Sequence, residues 1–310
     1  MHYIGIDLGG TIIKVGLVED GKVVDVKKLD AGSKYGLMPR LDFIANAIDN
    51  LLLENNISSN ELGGVFLAFP GIVNVRSKRI VSTNAKYDDA PSIDLQCWCC
   101  EHWNVPFAID NDARAATVGE WQFGVAYGKK NVVMMTIGTG IGTGVILEGK
   151  LLYGQHYRAG SLGGHLIVNY QGRKCSCGNV GCVEAHASSF FLPQIIQENE
   201  FLSQNFRNDI ANYNFKELVA QAAAGIVDAK LVIENCMDVW SAAIVNYIHA
   251  YDPQVVILGG GIMKSKDVIL PYIRRKVNAL AWCPDGKVEI MASILGDDAA
   301  LIAAGYYFFK

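Results

Sequence analysis

The chain has 310 residues, 51% of them hydrophobic and 19% charged, with a formal net charge of −4. That length suits two domains with substantial cores, and the mild acidity gives no electrostatic case for a nucleic-acid or anionic-membrane partner. The opening MHYIGIDLGG has no basic segment before a long apolar run, and 242-AAIVNYIHAY-251 is too short to span a bilayer, so neither a secretory leader nor a membrane anchor is expected.

In chain order, 3-YIGIDL-8 reads as an apolar strand ending in an aspartate. A Gly-Gly-Thr turn, a second strand 12-IIKVGLV-18, the hairpin signal Asp20-Gly21 and a third strand 22-KVVDV-26 follow. Leu41, Ile44, Ile48, Leu51 and Leu52 have helical spacing. The run 65-VFLAF-69 reads as a buried strand stopped by Pro70-Gly71, and 107-FAI-109 as a strand running into a helix over 110-DNDARAATVGEW-121. The plan of residues 3–24 then recurs in 132-VVMMTIGTGIGTGVILEGKLL-152: strand, Gly/Thr-rich turn, strand, Gly-Lys hairpin, third strand. A long helix from about Asp228 to Ala250, a strand 255-VVIL-258 and a last helix from about Asp297 to Phe308 complete the pattern. The reading is two related α/β domains facing each other across a cleft. The small N-terminal one spans 1–113 plus about 297–310, and the larger one spans 114–296.

Three glycine-rich turns bear on chemistry. Asp7-Leu8-Gly9-Gly10-Thr11 lets backbone N–H groups approach an anion, adds a hydroxyl, and supplies a carboxylate able to hold hydrated Mg²⁺. The run from Gly138, Thr139 and Gly140 to Gly144 offers the same without the acid, while Gly259, Gly260 and Gly261 leave bare backbone for a planar ring. Neither the Rossmann spacing nor a Walker A match is present. Two duplicated phosphate clips in facing domains are the arrangement of an actin-like or sugar-kinase ATPase. Asp110-Asn111-Asp112 falls where a strand gives way to a helix, which holds a carboxylate fixed and ionised. A plain N-cap accounts for this too, yet beside two phosphate clips Asp112 reads as the general base of phosphoryl transfer to a hydroxyl.

The eight cysteines form a poor disulfide framework, and a reducing cytoplasm is the expected location. Three of them, Cys175, Cys177 and Cys182, lie in 174-KCSCGNVGCVEAH-186 and look like a metal grip. The cluster 97-CWCCEH-102 lacks glycine turns and is not read as one.

Taken together these residues resemble the ROK family of repressors and sugar kinases, essentially end to end. Asp7 to Thr11 with Lys14 resembles its first phosphate motif, and Gly138 to Gly144 its second. Pro70-Gly71 resembles its sugar-binding turn, Asn84 sits where it has a sugar-contacting asparagine, and Asn111-Asp112 resembles its sugar-binding Asn and catalytic Asp. Gly164-His165 followed by the three cysteines and Glu184 matches its zinc signature, and Gly296 to Ala299 the motif opening its C-terminal helix. The resemblance implies a two-domain actin-like ATPase fold (ribonuclease H-like) with the active site in the interdomain cleft. It also implies ATP and Mg²⁺ as cofactors, and a structural Zn²⁺ on His165, Cys175, Cys177 and Cys182. His165 and Glu184 would face the sugar, and the assembly would be a homodimer.

Two positions depart from the family pattern. Where the family has Gly-Glu-x-Gly-His, 159-AGSLGGH-165 puts Leu162 at the glutamate's offset, with one extra residue. Arg114 takes the place of an asparagine and is expected to point to solvent, contact with a substrate anion being the alternative. The leading function is a glucokinase-like kinase acting on a hexose 6-hydroxyl. An N-acetylhexosamine kinase (for example of N-acetylmannosamine) or another hexose kinase is second, given the missing glutamate. A sugar-sensing regulator is the rival of a different class. It is disfavoured because the chain reaches its first clip at Asp7, leaving no room for a helix-turn-helix.

Overall fold

The computed structural model describes residues 1–83, 85–209 and 213–308, and the chain forms two compact units. The first comprises Met1–Gly128, Leu151–Ser161 and the residues from Asp297 onward; the second comprises Lys129–Lys150 and Leu162–Gly296.

In the first unit β1 (His2–Leu8), β2 (Ile12–Glu19) and β3 (Lys22–Asp30) make an antiparallel meander. Next come α1 (Leu41–Glu54), β4 (Leu62–Phe69), a small hairpin of β5 (Ile72–Asn74) and β6 (Arg79–Ser82), α2 (Leu95–Trp103), β7 (Phe107–Asn111) and α3 (Asp112–Phe123). The sheet order is β3-β2-β1-β4-β7, with β4 and β7 parallel to β1. Both faces of this sheet are covered, so β1 and β4 are apolar almost throughout rather than alternating. The edge strand β3 instead carries Lys22, Asp25, Lys27, Lys28 and Asp30, which discourages pairing with another chain. The α1 stripe of Leu41, Ile44, Ile48, Leu51 and Leu52 packs on one face with Ile6, Leu67 and Ile109.

The opposite face carries Phe66 and Ala68, covered by Ala115 and Val118 of α3 and by Leu301 and Ala304 of the C-terminal segment. The first unit runs past residue 113 to Gly128. α3 belongs to the first unit because its apolar stripe is spent on that unit's sheet. The C-terminal segment begins as α10 (Ala299–Ile302) and tightens into a 3₁₀ turn over Ala303–Tyr307. It lies so close to α3 that a Cβ on Gly119 would stand 2.1 Å from the Ala299 carbonyl oxygen.

The second unit repeats the plan. β8 (Val132–Ile137), β9 (Ile141–Leu147) and β10 (Lys150–Leu151) form the meander, and the helices α4 (Val183–Ala187), α5 (Leu192–Gln197), α6 (Gln204–Asn208) and α7 (Phe215–Ala223) follow. Then come α8 (Val227–Tyr251), β11 (Val255–Gly259), α9 (Lys266–Leu280) and β12 (Glu289–Ala292). The order β10-β9-β8-β11-β12 is that of the first sheet, with β11 parallel to β8 and β12. Its 25-residue helix α8 buries Val232, Cys236, Trp240, Ala243, Ile244 and Tyr247. No helix among the described residues is long and apolar enough to cross a membrane.

Candidate active site

In an open sheet, ligands bind beyond the carboxyl ends of the parallel strands. In the first unit β1, β4 and β7 end together, and the residues that follow them are Asp7 to Thr11, Gly71, and Asn111-Asp112. The turn after β1 is pinned from behind. Tyr87 donates its hydroxyl to the Gly9 carbonyl at 2.8 Å, and Ser33 donates to the Gly10 carbonyl at 2.8 Å. With those carbonyls occupied, the N–H groups of Gly10 and Thr11 have no protein acceptor among the described residues. Unpaired N–H groups in such a turn are able to receive an anion.

Asn111 caps α3 by accepting from the Arg114 N–H at 3.1 Å, while its amide donates to the Gly71 carbonyl at 3.1 Å and to Asp112 at 2.9 Å. One side chain thus ties the turn after β4 to the carboxylate of Asp112. Asp112 Oδ1 also accepts from the Ala113 N–H at 2.8 Å. Burial pushes the Asp112 carboxyl up, and the Ala113 N–H, Lys86 and the Asn111 amide pull it back. Asp7 is pushed up to about 7, first by burial and then by the charge of Asp112, against the opposing pull of Lys14. A carboxyl poised there gains most from a bound cation. Lys14, expected on phosphate, donates to the Asp297 carbonyl at 2.6 Å and lies 3.7 Å from Asp298. Lys86 was not visible as a site residue in the sequence. Its ammonium would stand 3.2 Å from a Cβ on Gly10, and nothing in the loop Ala85-Lys86-Tyr87 has a pattern to announce it. Asn84, the expected sugar contact, lies outside the described residues.

The second unit builds its turn by the same logic. Ser189 and Phe190 donate N–H groups to the Gly138 and Thr139 carbonyls at 3.1 and 3.0 Å, leaving the Thr139 and Gly140 N–H groups without a protein acceptor among the described residues. Gly259 ends β11 beside Thr136 of β8, so Gly259 to Gly261 adjoin the Gly138 turn although 120 residues separate them in sequence. Gly260 has φ +90, and a Cβ there would meet the Ile137 carbonyl oxygen at 2.2 Å; Gly261 faces open space.

The metal cluster is confirmed as a geometric unit. The ligand atoms of His165, Cys175, Cys177 and Cys182 all lie within 4.8 Å of one another. Cys177 and Cys182 sulfurs are 3.7 Å apart, and Cys175 Sγ is 3.6 Å from His165 Nδ1. A tetrahedral centre with Zn–S bonds of about 2.3 Å sets neighbouring sulfurs about 3.8 Å apart, so the donors fit zinc, and a disulfide at about 2.05 Å is excluded. His165 keeps Nε2 for a partner outside the cluster. The loop needs Gly181, whose φ is +79 and whose Cβ would fall 1.6 Å from the Asn169 carbonyl oxygen. Glu184, two residues past the last thiol, is buried and accepts from the Ile141 N–H at 2.8 Å, which joins the zinc loop to the Gly138 turn. Metal analysis is expected to find about one zinc per chain. Chelation should cost on the order of 3 kcal/mol in the second unit, lowering the thermal midpoint by about 6–12 °C. A zinc-free preparation with an unchanged midpoint would exclude this assignment.

Arg114 does not point to solvent. It is fully buried, pairs with the equally buried Asp110 at 3.2 Å, and reaches the Tyr157 carbonyl at 2.5 Å and the Ser161 hydroxyl at 3.0 Å. The pair bridges the junction between β7, which carries Asp110, and the first turn of α3, which carries Arg114.

Two sheets of one order, each with a glycine-rich turn beyond its carboxyl edge, define the actin-like ATPase fold. The chain belongs to the ROK family, whose model matches residues 3–309. It is 31% identical to the glucokinase of Halalkalibacterium halodurans over 98% of this chain and 94% of that one. It is 28% identical to the xylose repressor of Bacillus subtilis over 96% of this chain, which is 74% of the repressor. A ROK family glucokinase from Streptomyces griseus, solved with glucose and AMPPNP, superposes with TM-score 0.82 over 99% of both chains at 24% identity.

Proposed function

We infer that this ATP-dependent sugar kinase transfers the terminal phosphoryl group to the primary 6-hydroxyl of a hexose, as a glucokinase does. The observation that carries the reading is the junction at Asn111-Asp112. A carboxylate is held there by two donors on Oδ1, leaving Oδ2 for a hydroxyl, next to a phosphate turn with free N–H groups. Asp112 accepts the hydroxyl proton as the oxygen attacks phosphorus. The N–H groups of Gly10, Thr11, Thr139 and Gly140 bind phosphate oxygens, and the bare backbone of Gly259 to Gly261 takes the purine. Asp7 would hold Mg²⁺, whose charge would offset that of the phosphates, while Lys14, 3.7 Å from Asp298, offsets the charge of that carboxylate. Glu184 accepts a sugar hydroxyl and His165, its Nδ1 turned to the thiols, donates its Nε2–H to a sugar oxygen, with Gly71, Asn84 and Asn111 as the further contacts; bound zinc would fix the imidazole without entering the reaction. Leu162 supplies no carboxylate for the far end of the sugar. An N-acetylated hexosamine, whose amide needs less charge there, is therefore the second reading. A homodimer completes the proposal, to be read by light scattering.

The test is ADP release coupled to glucose, mannose, fructose, allose and the N-acetylated hexosamines. Turnover with one hexose at a typical rate of about 1–100 s⁻¹ is expected. No turnover with any of them, together with specific sugar binding, would favour the regulator.

A further inference from the structure

The first unit contains a buried polar network that the reaction as described does not use. Asp110 Oδ1 accepts from the Asn111 N–H at 2.7 Å and from Arg114 at 3.2 Å. Its Oδ2 accepts from the hydroxyls of Tyr153 at 2.8 Å and Tyr307 at 3.0 Å. Four donors therefore converge on one fully buried carboxylate. Arg114 lies over the Tyr153 ring at 5.0 Å and spends its second nitrogen on Tyr157 and Ser161. Strand alternation turns Asp110 to the face of β7 opposite Asn111, so the network backs the site rather than lining it. It joins three separate pieces of chain: the β7–α3 junction, the segment 153–161, and Tyr307 near the C-terminus. Ser161 is also the last residue before the chain re-enters the second unit at Leu162. Tyr153, Tyr157 and Tyr307 line a pocket of about 790 Å³ on the far side and shield the ion pair from it.

We propose that Arg114 is a positioning residue for phosphoryl transfer: through Asp110 it fixes the Asn111-Asp112 turn, and through its fork it locks the 157–161 segment to that turn. The proposal rests on the kinase reading for its rate consequence but not for the coupling itself. A guanidinium is required because its planar fork serves Asp110, a carbonyl and a hydroxyl together, which an ammonium does not. A slack turn would loosen the Ala113 and Asn111 bonds to Asp112. Those bonds oppose the effect of burial on its carboxyl, in company with Lys86, while Asp7 from β1 opposes them.

Two variants separate positioning from stability. Arg114→Lys keeps the charge and loses the fork. Asp110→Asn with Arg114→Met removes both charges, so that no unpaired ion is left buried. In whichever variant folds with a midpoint near wild type, kcat per active site should fall about 10- to 100-fold. The acid limb of kcat should move up by about half a pH unit or more. Hydrogen exchange should quicken at 111–114 and at 157–161 together. A lowered kcat with an unmoved limb would mean a structural role only and overturn the proposal, as would wild-type exchange at both segments. The exchange result stands whether or not the wild type turns over a sugar, so failure of the kinase reading is told apart from failure of this one.

Discussion

Asp112→Asn should lower kcat by about 10³-fold or more while leaving sugar affinity within about threefold, measured by coupled turnover and by calorimetric binding. A general base contributes about 10²–10⁴, and the upper part of that range applies because water has no better-placed carboxylate to use. Asp7, whose carboxyl is pushed up to about 7 and for which the cation is proposed, is no substitute. Asparagine is nearly isosteric and can still accept from the Ala113 N–H and Asn111 amide, so the cap and the turn at Gly71 survive. The loss therefore reads the proton transfer and not the fold. Near-normal turnover would remove Asp112 from the role of base.

Asp7→Asn should separate activity from stability in opposite directions. On the role proposed for Asp7, loss of the carboxylate removes the Mg²⁺ site, and kcat/KM should fall about 10²–10³-fold, only partly recovered by excess magnesium. Stability should rise at alkaline pH. Asp7 in the folded chain is pushed up to about 7 from 3.8, so between those values the native state holds a proton that the unfolded state has released. Native stability then falls as pH rises through that window, and the cost is fully present above it. The variant should be more stable than wild type at pH 8 by on the order of 1–2 kcal/mol, a figure reduced for the partial exposure of the group. The advantage should fade as pH drops from about 7 to about 4. Thermal midpoints of both proteins from pH 4 to 8 without magnesium check the sign, and an advantage that grows toward acid would contradict it. Wild-type kcat/KM should meanwhile lose about tenfold per pH unit below about 7 at low magnesium, the limb shifting down as magnesium saturates.

How much of this was legible in the sequence depended on whether the signal was local. The meander of residues 3–24 and its copy at 132–152 became sheets of identical order because each carries its own strand period and turn chemistry. The α8 helix, expected from about Asp228 to Ala250, runs Val227–Tyr251 for the same reason. The zinc donors were found because fixed spacing around glycines is a local property. The β5–β6 hairpin was missed because three- and four-residue strands carry no measurable period. Arg114 was misread for a different reason. A lone arginine in the first turn of a helix is ordinarily exposed, and its burial is imposed by Tyr153, Tyr157 and Ser161, some 40 residues on, and by Tyr307, nearly 200 residues on. Only strand alternation hinted at it, by placing Asp110 with Ala108 on the covered face of β7. Lys86 had no hint at all.

The most direct measurement takes the best-accepted hexose and its 6-deoxy counterpart, which keeps every other hydroxyl but offers none to phosphorylate. The account predicts one sugar 6-phosphate per ADP with the first. With the second it predicts binding, no phosphoester, and at most a slow release of inorganic phosphate. A phosphoester formed at equal rate on the 6-deoxy sugar would place the acceptor elsewhere on the ring, and the position assigned to Asp112 beside a primary alcohol would be wrong.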